Sequence, residues 1–470
     1  MKRSKRICIL LGVLAVACIA TFGVIRLEEH KEKIKNSDKI ILEVPTASVQ
    51  SLSWKYKSKT LAFHKDKKWL YDEDDAFPVD EEKINDALKQ FEKFGVSFII
   101  EDVEDYGQYG LDKPTCTINL STKDKSYEIQ LGNYSEMDSQ RYVSIGDGNV
   151  YLVKNDPLDY FDGGISDYID HDDIPKLDDV KEIQFKGNEA YSIVYEEDSP
   201  ISYSEDDVYI AKKGGTNLPL DTNRVKRYIR NISNLNLTDY VTYKASNEEL
   251  HKYGLDEPEL TVTVNYTTKD EKGKEISDTF VLNISRNPKE RKVADKADNK
   301  EKDDSDEEEI TAYARVGESQ ILYKITSDDF KDLIAASYDS FRYLEAIPAD
   351  FEDIYKIDIS LEGTDYTITS DKKLNKRSYY YKEEELETDD LKKALENLKA
   401  DKFTEEQPKQ KEEIALKIYL NNNNYPEIKI QLYRYDGTYC LAVIDGKPAS
   451  LIKRSNVVDL IEAVHAIVLN

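Results

Sequence analysis

YGLDKP at Tyr109–Pro114 and YGLDEP at Tyr253–Pro258 are one hexapeptide with a single change, 144 positions apart from Tyr109 to Tyr253. Either a site is used twice or a fold is built twice, and the flanking residues favour the second. SNEELHKYGL (Ser246–Leu255) precedes the later copy. Ser246 with Glu249 has the spacing of a capping box, so a helix can run to Tyr253. Gly254 then falls just past the helix, where a left-handed backbone is cheap only for glycine. Leu255 follows at the place whose apolar contact closes a Schellman motif, and Pro258 keeps the helix from restarting. The first copy fits the same scheme: a turn through Tyr109, a stop at Gly110, a packed Leu111, then Pro114 and the strand TCTINL. Asp112 and Asp256 are the hexapeptide's two candidates for chemistry, and each has a structural reading as an acceptor for nearby turn amides.

Working outward, one order of elements recurs three times. Each copy opens on an apolar residue followed by Pro: Val44-Pro45, Ile174-Pro175 and Ile347-Pro348. Strands of period two follow (VQSLSW, VKEIQF, IYKIDI), then a helix. Asp80, Asp221 and Thr388 stand where an N-cap accepts first-turn amides. Val79 with Ile84 and Leu220 with Val225 have the spacing of hydrophobic staples. Paired strands come next (TCTINL with SYEIQLGNY, LTVTVNY with TFVLNI, IALKIYL with EIKIQLYRY), then a hairpin turning at Gly or Asp. A short closing helix ends each copy, with Asn155, Ser327 and Ser455 as its expected caps.

The expected fold class is therefore α+β. An N-terminal transmembrane helix precedes three tandem modules of antiparallel strands, each with one main helix and a short closing helix. The modules run over 44–165, 172–338 and 345–470. The second carries an insertion, Arg286–Glu309, nearly all charged and without apolar period, expected to be a disordered acidic loop.

The first residues decide location. A basic tail at 1–6 precedes Ile7–Ile25, nineteen residues without a charge. As a helix these span about 28 Å, close to the hydrocarbon thickness of a bilayer. The four basic residues Lys2, Arg3, Lys5 and Arg6 put the N-terminus in the cytoplasm and the bulk of the chain outside it, as a single-pass signal-anchor. Residues 26–43 are expected to be a juxtamembrane linker. Leu14–Cys18 also resembles a lipobox, which would lipidate Cys18, and Ala15–Ala17 an ordinary signal-peptidase site. The apolar run continues past Cys18, which favours the uncleaved anchor.

Composition narrows the function classes. The net charge is −27, and no basic face is evident to neutralise phosphates, so nucleic acid is excluded as an expected partner. The 33 tyrosines suit half-buried sheet surfaces; an aromatic ligand platform has the same composition but needs a concave face. Cys116 and Cys440 sit in strand-like segments, with no paired spacing for zinc.

YGLD-x-P, the strand after it, the LGN strand end and the YV…GDGNVYLV hairpin resemble the bacterial domain-of-unknown-function 4340 (DUF4340) family, best over Trp69–Val153. The second module matches in YGLDEP and its hairpin, with LNIS where LGN stood; the third lacks the hexapeptide. The family has no assigned chemistry. The resemblance implies a membrane-anchored extracytoplasmic protein, often encoded beside ABC-type export systems.

The residues offer no catalytic signature: HExxH, G-x-S-x-G and a Walker loop are all missing from the sequence, and no two of the five histidines share metal-ligand spacing. DYIDHDD (Asp167–Asp173) gathers acids around His171 and reads as an acidic linker, with divalent cation binding as the sharper alternative. The expectation is a non-enzymatic interaction or accessory protein without cofactor or metal, with ABC-type transporter subunits as partners. One alternative is a binder of cell-wall glycan or peptide. The other is a hydrolase using Asp112, Asp256 or Asp170–Asp173.

Overall fold

The computed structural model describes residues 33–203, 206–270, 272–291, 310–373 and 376–469. The apolar run Ile7–Ile25, its basic flank and Cys18 lie outside these residues, as does most of the acidic insertion, 292–309. Among the described residues no helix is long and apolar enough to cross a membrane. The chain divides into two compact units, Met1–His171 and Asp172–Asn470.

The first unit is built on one antiparallel sheet. Its strands are β1 (Lys33–Asn36), β2 (Ile40–Leu42), β3 (Val49–Tyr56), β4 (Lys59–Lys65), β5 (Trp69–Tyr71), β6 (Phe94–Glu101), β7 (Cys116–Thr122), β8 (Ser126–Ser135), β9 (Gln140–Ser144) and β10 (Val150–Val153). Their order is β5-β4-β3-β7-β8-β9-β10-β6-β1, with β2 also on β6. Helix α1 (Glu81–Lys89) leads from β5 across to the far strand β6. Two strands thus come from the stretch expected to be linker, because Lys33–Asn36 and Ile40–Leu42 pair along β6.

The second unit repeats this sheet twice. The first repeat has β11 (Val180–Lys186), β12 (Ala190–Tyr195), β13 (Tyr209–Lys213), β14 (Thr216–Pro219), β15 (Tyr240–Thr242), β16 (Leu260–Lys269), β17 (Glu275–Arg286), β18 (Ala312–Val316) and β19 (Leu322–Ile325). Its helices are α2 (Thr222–Ser233), α3 (Asn247–Tyr253) and α4 (Ser327–Ile334). The second repeat has β20 (Ile354–Leu361), β21 (Thr364–Lys373), β22 (Lys376–Tyr381), β23 (Glu384–Glu385), β24 (Ala400–Phe403), β25 (Glu412–Leu420), β26 (Glu427–Arg434), β27 (Tyr439–Ile444) and β28 (Lys447–Lys453), with helices α5 (Asp389–Glu396) and α6 (Arg454–Val468).

The strand orders are β14-β13-β12-β11-β16-β17-β18-β19-β15 and β23-β22-β21-β20-β25-β26-β27-β28-β24. These two orders coincide position by position, and the first sheet shares eight of their strands, from β5-β4-β3-β7 to β6; it lacks a counterpart of β14 and β23 and adds β1 at the opposite edge. Even an irregularity recurs. The pairing of the opening strand with its central neighbour shifts register at Val49/Ser51, at Val180/Glu182 and at Ile354/Lys356. Such bulges are kept because they bend the strand and aim its side chains.

Alternation decides which face is buried. Along β16, Leu260, Val262, Val264 and Tyr266 point under the helices, while Thr261, Thr263 and Asn265 lie on the open face. There Asn265 donates to Glu182 at 3.0 Å and Thr279 to Asn265 at 2.9 Å, a polar ladder that keeps the face wettable. The helix-covered face is aromatic in the first unit. Trp54 stacks on Phe63 at 5.5 Å and meets the edge of Phe161 at 5.2 Å, all three buried. In the second sheet the hydroxyl of Tyr228 on α2 donates to Leu333 O on α4 at 3.0 Å, tying main and closing helices together.

Several termini differ from the sequence expectation. Asp80 and Asp221 cap as expected, each accepting two first-turn amides. Thr388 makes no side-chain cap; its backbone (φ −106°, ψ 1°) is not the extended shape a cap needs, and Asp389 and Asp390 supply the favourable first-turn charge. The closing turn at Pro157–Tyr160 is capped by Asp156, not Asn155, and α4 by Thr326, not Ser327. Ser455 lies inside α6, which starts at Arg454 without a side-chain cap. The first residues of the expected loop Arg286–Glu309 are held in the structure: Arg286 closes β17, and Glu290 accepts from Thr311 N–H at 3.0 Å.

Candidate functional site

Each hexapeptide ends a helical turn. In the first, Tyr106–Tyr109 is a 3-10 turn whose N-cap Asp105 accepts from Gly107 N–H at 2.8 Å. Gly110 is left-handed (φ 71°), and Leu111 N–H donates back to Tyr106 O at 3.0 Å. In the second, Gly254 is left-handed (φ 73°), and Leu255 N–H donates to Leu250 O at 2.9 Å. Ser246 accepts from Glu249 N–H at 3.2 Å, but its own N–H goes to Lys244 O, so only half of the expected capping box forms.

The motif side chains then pack on the hairpin that follows. Tyr109 meets Tyr142 with ring centroids 4.8 Å apart, and Tyr253 meets Tyr313 at 4.6 Å. Leu111 is buried with Ile100, Val150 and Leu152; Leu255 with Ala245, Tyr313 and Leu322. Pro114 and Pro258 each stand two residues ahead of their strand. The approach is close: a Cβ on Gly132 would lie 2.2 Å from Tyr109 O. The register of β8 and β17 places Ser285 where Gly132 stands, since Leu131 pairs with Cys116 and Ile284 with Leu260. Ser285 is fully buried.

Asp112 is exposed. Asp256 is bound to His251, whose Nδ1 lies 2.8 Å from Oδ2, and that hydrogen bond holds the Asp256 carboxyl below its usual range. The two acids belong to separate compact units. In DYIDHDD, Asp167 accepts from Gly164 N–H at 2.6 Å, and Asp172 accepts from the hydroxyl of Tyr323 at 3.1 Å. Among the described residues no group of three His, Cys, Asp or Glu is arranged to hold a metal ion. Cys116 and Cys440 are free and buried, and burial pushes both thiols up to about 12, which keeps them protonated and poorly nucleophilic.

A concave site lies in the second unit, between its two sheets. The connector after the second sheet docks on the third, with Ala346 N–H to Leu398 O at 2.8 Å and Ala400 N–H to Leu344 O at 2.7 Å. Tyr203 packs edge-on against Tyr343 at 5.2 Å and Tyr425 at 4.5 Å, while Asn422 donates to Tyr203 O at 2.8 Å. Arg342 lies 4.0 Å over the Phe403 ring and donates to Asp339 and to Ala449 O. These groups leave a cleft of about 460 Å³. Burial pushes the Tyr203 hydroxyl up to about 12, and burial also raises Tyr425, followed by the effect of Tyr203 and the hydrogen bond to Asp445. Sequence reading missed this site. Its residues come from 201 to 449 with no common spacing, and the tyrosine count was the one signal.

A family described as "Domain of unknown function (DUF4340)" matches residues 69–210 and again 213–417. The chain belongs to the DUF4340 family. No curated protein and no solved structure matches it. The two DUF4340 stretches start 144 residues apart, the same offset as the hexapeptides. They run out of phase with the sheets. The first opens at β5 and ends in β13; the second opens at the end of β13 and ends in β25. Each DUF4340 stretch therefore joins the helix-to-hairpin part of one sheet to the opening strands of the next.

Proposed function

We propose that this DUF4340 protein is a non-enzymatic, membrane-tethered extracytoplasmic interaction protein that serves an ABC-type export system. The observation that carries the reading is the use made of the hexapeptides. Every apolar or glycine position in them stops a helix or packs on a hairpin, so the motif that marks the family builds its sheet. The uncharged run Ile7–Ile25 behind a basic tail supports the tether and the orientation. The transporter association rests on the resemblance alone. In this reading the anchor holds the sheets near their partner, and strand edges or tyrosine-bearing faces make the contact.

The test is capture of the full-length protein from its native membranes in gentle detergent, with mass spectrometry of what accompanies it. The reading expects permease and ATPase subunits enriched over a control anchored by residues 1–35. Equal recovery with that control would remove the transporter association. The cleft between the second and third sheets favours one further reading, a binder of cell-wall glycan or peptide.

A further inference from the structure

We propose that the cleft between the second and third sheets binds a neutral saccharide one or two rings long. The inference rests on the binder reading above and assigns it a place and a ligand class. A volume of about 460 Å³ falls in the range of pockets that enclose small ligands. The walls are flat rings: Tyr203, Tyr338, Tyr343 and Tyr425, with Pro219, Pro348 and Pro448 between them. A pyranose is a slab with apolar C–H faces and a hydroxyl-bearing edge, and ring walls with a polar rim complement that shape.

Charge selects among ligands. Arg342 is engaged by Asp339 and Ala449 O, Glu345 pairs with Lys399 at 3.1 Å, and Asp445 accepts from Tyr425 and from Lys429 N–H. Asp445, Glu405 and Lys447 remain without an ion pair among the described residues, two negative charges and one positive. A phosphorylated ligand would meet a net negative lining there, and a polycation only a single net opposite charge. Asn217, Thr404, Glu405 and Lys447 offer both donors and acceptors to hydroxyl groups. An extended peptide is disfavoured on one specific ground. The edge strand bordering the cleft is β14, and it ends at Pro219, which has no N–H for strand addition.

The test titrates chitobiose, cellobiose and maltose into the full-length protein in detergent, followed by saturation-transfer NMR and calorimetry. Glucose 6-phosphate and a proline-rich decapeptide serve as comparison ligands. Glu405→Trp, at an exposed position, plugs the rim, and Asn217→Ala removes a polar contact. The proposal expects saturable binding of at least one disaccharide, lost in Glu405→Trp and about tenfold weaker in Asn217→Ala. Circular dichroism matching the wild type establishes that both variants fold. Disaccharide binding unchanged by Glu405→Trp overturns the assignment to this cleft and leaves the glycan-binder reading standing. Binding of none of the three overturns the ligand class, and binding of the decapeptide alone moves the site to a peptide.

Discussion

Gly254 shows how much one residue decides. Its φ of 73° is unfavourable for a side chain, and a Cβ there would sit 2.9 Å from Ser285 Oγ and 3.2 Å from Pro288 Cγ. Gly254→Val should therefore destabilise the second sheet by about 1–2 kcal/mol or more, read as a lower urea midpoint of the full-length protein. Unchanged unfolding would remove the helix-stop assignment. The neighbouring Asp256 has a testable sign. Its carboxyl is held low by His251, so the stabilisation is present above the ordinary carboxylate range and fades as pH falls through the lower folded value. Asp256→Asn should flatten the acid side of the stability curve below about pH 4. At neutral pH the effect should be small, because the pair is largely exposed. Both glycine stops were legible from sequence, because glycine adopts that left-handed backbone at the least cost. The His251–Asp256 pair was not, since its spacing of five residues around a helix end belongs to no regular period.

At the scale of elements, the closing turn of the first unit is joined to its sheet through a largely buried ion pair. Arg141 on β9 binds both carboxylate oxygens of Asp156 at 2.7 and 2.8 Å and donates to Gly132 O at 2.8 Å, while Asp156 caps the turn Pro157–Tyr160. Arg141→Ala should cost about 3 kcal/mol, because it leaves a largely buried carboxylate uncompensated. Both tryptophans of the chain, Trp54 and Trp69, are buried in the first unit, so their emission reports this loss directly. The caps give a sharper comparison. Thr326→Ala should destabilise by about 1 kcal/mol through loss of the α4 cap, since only Thr326 accepts the amide of Asp329, whereas Ser327→Ala leaves that cap intact and removes only the 3.3 Å contact from Ile310 N–H. Sequence placed a cap at each of these ends and missed by one residue. Adjacent Ser, Thr, Asn and Asp all have the right chemistry, and the extended backbone that chooses between them is set by the preceding strand.

For the whole molecule, the repeat was legible because period-two strands, a capped helix and a hairpin recur in one order, and the eight-strand order common to the three sheets follows from it. The sharing of sheets across the DUF4340 stretches was not legible, since the hexapeptide marks position but not which strands close the sheet around it. The cleft was hidden for a similar reason: tertiary packing alone brings Tyr203 to Tyr425. The central claim is that the family motif builds the scaffold and other surfaces meet the partner. Its most direct test is partner capture from native membranes by the full-length protein carrying both Asp112→Asn and Asp256→Asn, beside the wild type. The account predicts that the double variant folds and retains the wild-type set of partners at wild-type yield. A folded double variant that loses them would contradict it, and would make the repeated hexapeptide a functional site.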